Sequence, residues 1–346
     1  MRIKSKDIAA QLGVSPATVS LALNNKQGIN EQTRQKILDY VRQKEEENLQ
    51  NHNIDNEPCK GTVLFINYIK NGIIMEREKS GSVFQADFEV AVRRSGYNFS
   101  SKIFQEQTQQ LDSLLKECRR LDVKGIYIMA AEMKKADIYP FLELHVPIVT
   151  GDNLFYEKGI DSFLIDNQEG VCRGVDYLVE KGHSNIVYLA EDIDIFNFVE
   201  RRTAFVQEMR RKECGDARHR IRHLGSEVDT VYEAMCRYLD EGFQRTTAFI
   251  LESSVVSLGV SKALLERQVR IPRDISLLGF DALAPFSVPG IQLTLIKGTH
   301  TRRHLMGLKH LIRRIEDENE EIMKVYYKTR LLEGNSVFDK KRYIYT

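Results

Sequence analysis

Eight histidines and five cysteines are the side chains with the widest chemical range in this 346-residue sequence. Their spacing builds no obvious reactive site. The cysteines, at 59, 118, 172, 214 and 236, form no CxxC pair and no metal-type pattern, which fits reduced thiols in the cytoplasm. His300 and His304 stand four apart on a predicted helix, the spacing of two metal ligands, but no third ligand lies near them in sequence. His219 and His223 fall in a basic loop and strand. No GxSxG, Walker A, GxGxxG or HExxH pattern occurs, so neither a cofactor nor catalysis is expected.

The chemistry the chain does offer is ionic. Net charge is +1, but residues 1–44 hold eight Lys/Arg against three Asp/Glu, while residues 45–60 hold five acids against Lys60. The first block can track phosphates, Arg34 among its cations, and the second is repelled by them. No apolar run reaches the ~18 residues of a membrane helix, and the start, MRIKSKDIAAQLGVS, has no apolar stretch of the kind a signal peptide needs. A cytoplasmic protein without a membrane partner is the expectation.

These charges need elements to hold them. KDIAAQL is a short amphipathic helix, with Ser5 as a cap and Gly13 as the turn after it. Ser15 caps a second helix with Pro16 at its first position, burying Val19 and Leu23. Asn30 caps a third, which places Ile37, Leu38 and Val41 on one face. Together they predict an all-α helix-turn-helix headpiece. From residue 61, strands at 62–67, 98–104, 125–130, 148–151, 162–165, 185–190, 248–251 and 275–279 alternate with helices at 84–94, 108–120, 168–181, 199–212, 228–241 and 255–267. That alternation predicts an α/β body of two Rossmann-like lobes with parallel sheets and a ligand between them.

The stretch IAAQLGVSPATVSLALNN, followed by INEQTRQKIL, resembles the LacI/GalR family of bacterial transcription regulators. The resemblance continues through VKGIYIMA, HVPIVTGDN, IDNQEGVCRGVDYLVEKGHSNIVYLA, RRTAFVQEM and RIPRDISLLGFDALA. It implies residues 1–44 as a DNA-binding headpiece, 45–60 as an atypical acidic hinge, and 61–346 as an effector-binding and dimerisation body. The implied lobes are 61–160 with 292–320, and 161–291 with 321–346. By the same resemblance Pro16, Ala17 and Leu21 face base edges, where they can make only apolar contacts. Ser15, Thr18, Ser20 and Asn24 then serve the phosphate backbone, and Arg34 joins them in the expected DNA-binding set through its charge. In the cleft the resemblance assigns effector contacts to Arg201, Asp281, Asp152, Phe84 and Ser253, while His183 becomes a structural turn residue.

The family's hinge, GYxPNxxARxL, inserts a leucine into the minor groove. Here an ungapped alignment puts Asn48, Leu49, His52, Asn53 and Asp55 at its Pro, Asn, Ala, Arg and Leu. An aspartate does not enter that negative groove, so the resemblance implies weaker or differently bent DNA binding. The implied protein is a homodimeric regulator, in most relatives a repressor, of double-stranded operator DNA. A sugar or sugar derivative would control it. The alternative is a cytoplasmic small-molecule sensor with weak or non-specific DNA binding.

Overall fold

The computed structural model describes residues 5–23, 29–30, 32–40, 59–72, 81–243, 245–281 and 289–343. The expectations for Asn24, Val41 and most of the acidic hinge fall outside these residues. The chain divides into two compact units, Met1–Lys60 with Glu89–Asn98, and Gly61–Phe88 with Phe99–Thr346.

The first unit begins with α1 (Ser5–Leu12) and α2 (Pro16–Leu23), followed by α3 over 32–40. Gly13 adopts a left-handed φ of 65° between α1 and α2, the conformation a glycine reaches without cost. The Ser15 hydroxyl accepts the Thr18 N–H at 3.1 Å, and the Asn30 side chain accepts the Gln32 N–H at 2.7 Å. Ile8, Ala9, Val19, Ala22 and Ile37 form the small core. Ala22 is a core residue not expected from the sequence, Leu38 is only half-buried, and the Leu23 side chain is outside the description.

The second unit holds two six-stranded sheets. Its elements are β1 (Thr62–Ile69), α4 (Gly81–Arg94), β2 (Asn98–Gln105), α5 (Leu111–Arg120), β3 (Val123–Met129), α6 (Tyr139–Leu142), β4 (Ile148–Gly151), β5 (Ile160–Ile165), α7 (Asn167–Glu180), β6 (Ile186–Ala190), α8 (Phe196–Arg211), β7 (Ile221–His223), α9 (Val228–Asp240), β8 (Ala248–Leu251), α10 (Ser254–Glu266), β9 (Ser276–Phe280), β10 (Thr294–Lys297), α11 (His300–Glu316), β11 (Lys324–Tyr327) and β12 (Arg330–Leu332). The tail of α4 and the start of β2 belong to the first unit. The first sheet runs β11-β5-β4-β3-β1-β2 and the second β12-β10-β9-β8-β6-β7. The β1–β3, β3–β4, β4–β5, β5–β11, β6–β7, β6–β8, β8–β9 and β9–β10 pairs are parallel, and the β10–β12 edge is antiparallel. Strands such as IVYLA and AFIL are buried on both faces, as a sheet covered by helices requires. In the second sheet Ile186, Tyr188 and Ala190 point toward α7 and α8, while Val187 and Leu189 point toward α9 and α10.

The lobe limits expected from the sequence need correction. β5 lies in the first sheet although 161 was the expected start of the second lobe. β10 belongs to the second sheet and β11 to the first, the reverse of the expected division. The chain crosses between sheets after β5, after β10 and after β11. Apolar periodicity marks a strand but does not say which sheet it joins. α11 packs on β3, β4 and β5 of the first sheet, immediately after β10 has ended in the second. α11 therefore starts at the boundary between the two sheets.

Candidate functional site

Parallel strands present their carboxyl ends on one side of a sheet, and the polar residues of this unit gather there. Ala131 lies past β3, Asp152 follows β4, Glu191 follows β6, and Asp281 follows β9. Ser253 lies just past β8 and caps α10. With Asn197, Phe198 and Arg201 of α8, Phe280 and His300, they line a cleft of about 700 Å³ including its mouth. Asp152 and Asp281 both sit in left-handed backbone, with φ of 65° and 47°. Aspartate is among the residues that reach this region most readily, and in both positions it turns the chain directly after a strand.

Arg201 is nearly fully buried. Its Nε donates to Asn167 Oδ1 and its NH1 to the Glu252 carbonyl, each at 2.8 Å. The guanidinium lies 3.6 Å from the Phe280 ring centre, a cation–π contact that fixes its plane. Its NH2 is 3.8 Å from Asp281 Oδ2. Asn167 in turn donates to Asn197 Oδ1 at 2.8 Å, so α7 and α8 hold the arginine together.

Asp281 Oδ1 accepts the Gly298 N–H at 2.8 Å and lies 3.2 Å from His300 Nε2. The histidine contact has ion-pair distance without hydrogen-bond geometry. Among the described residues neither Asp281 Oδ2 nor His300 Nε2 has a hydrogen-bond partner. Burial opposes ionisation of both groups. Mutual attraction outweighs it, so the carboxyl lies below its usual range and the imidazole above.

Asp152 faces Arg303 and His304 of α11. Its Oδ1 accepts from Arg303 NH2 at 2.7 Å, and its Oδ2 lies 3.4 Å from His304 Nε2. Burial would raise its pKa, but the Arg303 guanidinium outweighs burial and holds the carboxyl low. Arg303, fully buried, also donates to the Phe163 carbonyl at 2.7 Å. His304 bonds the Tyr127 hydroxyl through Nδ1 at 2.8 Å. Burial and the Arg303 charge push its imidazole far below the ordinary range, so it is neutral.

The structure thus brings Arg201, Asp281, Asp152 and Ser253 into one cleft. The Ser253 hydroxyl accepts the Val256 N–H at 3.3 Å, caps α10 and bonds Glu191. Its hydrogen is given to Glu191, while the residue itself lines the cleft. Glu252 is buried behind the cleft, where Arg202 donates Nε to Oε1 at 2.8 Å and NH2 to Oε2 at 3.0 Å. Burial still leaves the Glu252 carboxyl above its usual range. Asn153, next to Asp152, braces its loop by donating to the Ala130 and Met133 carbonyls at 2.9 and 2.6 Å. The Phe84 side chain lies outside the description. Sequence reasoning missed His300, Arg303, Asn167 and Asn197. The i, i+4 pair His300 and His304 was noticed only as an incomplete metal motif, and among the described residues no cluster suits a metal ion. Its partners are the carboxylates at two strand ends, far away in sequence.

In the headpiece, Ser15, Pro16, Ala17 and Ser20 are exposed, and Thr18, Leu21 and Arg34 half-buried. Val19 and Ala22, on the other side of α2, are in the core. One helix face is therefore spent on packing, and the other offers hydroxyls and small apolar groups. The Ser15 and Thr18 hydroxyls are 2.8 Å apart.

Comparison with known proteins agrees with this architecture. The family description "Bacterial regulatory proteins, lacI family" matches residues 5–45, and "Periplasmic binding protein-like domain" matches residues 175–337. The probable HTH-type transcriptional repressor ExuR of Bacillus subtilis strain 168 is 25% identical over 338 residues, 96% of this chain and 97% of that protein. Among solved structures, the transcriptional regulator CelR–cellobiose complex has a TM-score of 0.68 at 20% identity, covering 97% of this chain and 100% of that one. The lac repressor dimer bound to operator and the anti-inducer ONPF has a TM-score of 0.67 at 18% identity, covering 98% and 100%. These two likenesses concern the fold. The matched proteins are transcription regulators rather than enzymes. Headpiece, two-sheet body and full-length relatives agree, and the chain belongs to the LacI family of bacterial transcription regulators.

Proposed function

We propose that this protein is a cytoplasmic, homodimeric repressor whose affinity for operator DNA is set by a small polyhydroxylated effector in the cleft between the two sheets. The carrying observation is the convergence of Arg201, Asp281 and His300 on buried polar atoms that lack hydrogen-bond partners among the described residues. A sugar hydroxyl donates to Asp281 Oδ2 and accepts from the Arg201 guanidinium. Phe198 and Phe280 supply apolar area for a ring face. The CelR structure, similar in fold, holds cellobiose. Asp152 shapes the cleft floor through Arg303. Ser253 acts through its cap, and Phe84 keeps the role its motif implies at the cleft mouth.

In the headpiece (residues 1–44), Ser15, Thr18, Ser20, Asn24 and Arg34 meet phosphates while Pro16, Ala17 and Leu21 touch base edges. Two half-sites about one DNA turn apart require a two-fold dimer. The effector biases the lobe arrangement through its differential affinity for the two states, and the 45–60 segment transmits that bias.

The test is a gel shift of the full chain against its own upstream DNA, with cellobiose, glucose, ribose or a purine nucleoside present, alongside thermal shift. A specific shift altered by a compound that also raises the unfolding temperature is expected. Absence of any specific shift at moderate salt would overturn the repressor reading. It would favour the second reading, a sensor with weak DNA binding, for which the acidic 45–60 segment is the argument.

A further inference from the structure

Among the described residues, a pair of opposite charges drawn from different sheets meets in the cleft. Asp281 follows β9 of the second sheet, and His300 opens α11, which packs on the first. Their atoms are 3.2 Å apart, with side chains 12% and 32% exposed, so the pair is largely shielded from water while the mouth of the cleft still reaches the imidazole. Gly298, between β10 and α11, makes the approach possible. A Cβ there would come within 2.8 Å of Ile165 Cδ1 and 3.3 Å of Asp281 Oδ2. We propose that His300 and Asp281 form a proton-dependent clasp between the two lobes, and that effector binding, which closes the lobes over this pair, strengthens as His300 takes up a proton. The effector part rests on the reading given under Proposed function; the clasp itself does not.

His300 faces Asp281 from the β9 end and Asp152 from the β4 end, both negative. Arg303 on its own helix opposes its charge, His304 lies one turn along α11, and Arg201 of α8 stands on the far side of Asp281. The carboxylates prevail, and the imidazole holds its proton to higher pH than a free histidine. Once that proton leaves, Asp281 retains the Gly298 N–H and a guanidinium at 3.8 Å as its partners. The electrostatic tie between the sheets is then lost. An effector that excludes water from the cleft deepens the attraction, because the same charges interact more strongly at lower dielectric. A diol suits the two unpartnered atoms: one hydroxyl donates to Asp281 Oδ2, and its neighbour accepts from protonated His300 Nε2.

Two measurements on the full chain and on His300→Gln, which retains a donor without the charge, test this. In the first, cellobiose, glucose and ribose are titrated calorimetrically at about pH 6 and about pH 8.5, in buffers of different ionisation enthalpy. For the native protein, dissociation constants rising by about tenfold toward high pH, with proton uptake on binding, are expected from linkage. His300→Gln should bind more weakly at low pH and show a flat profile. A native affinity that ignores pH, or a variant with the native profile, overturns the proposal. In the second, unfolding midpoints of the ligand-free proteins are compared across the same range. A native advantage over His300→Gln that vanishes at high pH supports the clasp, and parallel curves overturn it. If none of the sugars binds at either pH, the sugar-effector reading falls, and the ligand-free comparison still decides the clasp.

Discussion

At the scale of single residues, the same two adjacent arginines do different work. Arg201 faces the cleft, and Arg202 turns inward to grip Glu252 and the Glu191 and Ile193 carbonyls. Under the effector reading, Arg201→Ala weakens binding by about ten- to hundredfold, the worth of a charge-assisted hydrogen bond. Calorimetry with whichever compound the screen identifies checks this, and an unchanged affinity would remove the assigned role. His183 was expected to be structural, and its surroundings are those of a fixed, neutral ring. Nδ1 pairs with Thr247 Oγ1 at 2.9 Å, and Nε2 with the Phe338 carbonyl at 3.0 Å. Burial lowers its pKa from 6.5 to about 4. The unfolded chain therefore binds this proton more readily than the native one below 6.5, so stability drops as pH falls from there to about 4. His183→Gln should lose stability at neutral pH yet show a shallower acid dependence, read from urea midpoints across that window.

At the scale of elements, small residues decide how closely helices approach the sheets. Gly151 ends β4, and a Cβ there would stand 2.8 Å from His304 Cε1 and 3.1 Å from the Tyr127 hydroxyl. Neither neighbour can simply swing away, since the two bond each other at 2.8 Å. Gly151→Ala is therefore expected to push α11 outward and cost about 1–3 kcal/mol, as overpacking does. Because α11 also carries His300 and Arg303, effector affinity should fall with stability. A thermal melt beside a binding titration tests the link, and a variant with native affinity at reduced stability would break it. The helices themselves were readable: 228–241 and 255–267 lie within one residue of α9 and α10. The strands β10, β11 and β12 were not, because they are only partly buried, whereas the equally short β4 and β8 are buried throughout and so carry a clearer apolar signal.

At the scale of the whole molecule, regulation needs a body that adopts two arrangements and a segment that carries the difference to DNA. The chain passes between the sheets three times, after β5, β10 and β11, and under the effector reading these connections take up the change. Few-strand connections of this kind absorb rotation while each sheet stays rigid. The segment toward DNA bears Asp55 where the family bears an inserting leucine. Asp55→Leu is expected to raise operator affinity by about tenfold or more, the value of burying one leucine side chain, and to increase the bend. Circular-permutation gel shifts measure both. Unaltered affinity and bending would show that this position does not touch the groove.

The sequence by itself determined what local rules control. Caps, helix faces and the βα alternation follow from patterns a few residues long, and the family from motifs spread over the chain. It also marked Arg201, Asp281 and Asp152 as a set, since each lies inside a recognisable motif. What only the tertiary structure decided was how that set is wired. Asp281 finds His300 nineteen residues on, Asp152 finds Arg303 across 151, and Ser253 gives its hydroxyl to a cap and to Glu191. The physical reason is that charge pairing in a cleft depends on distance in space and on exclusion of water. Both arise only after two sheets have closed around residues that sequence spacing leaves unrelated.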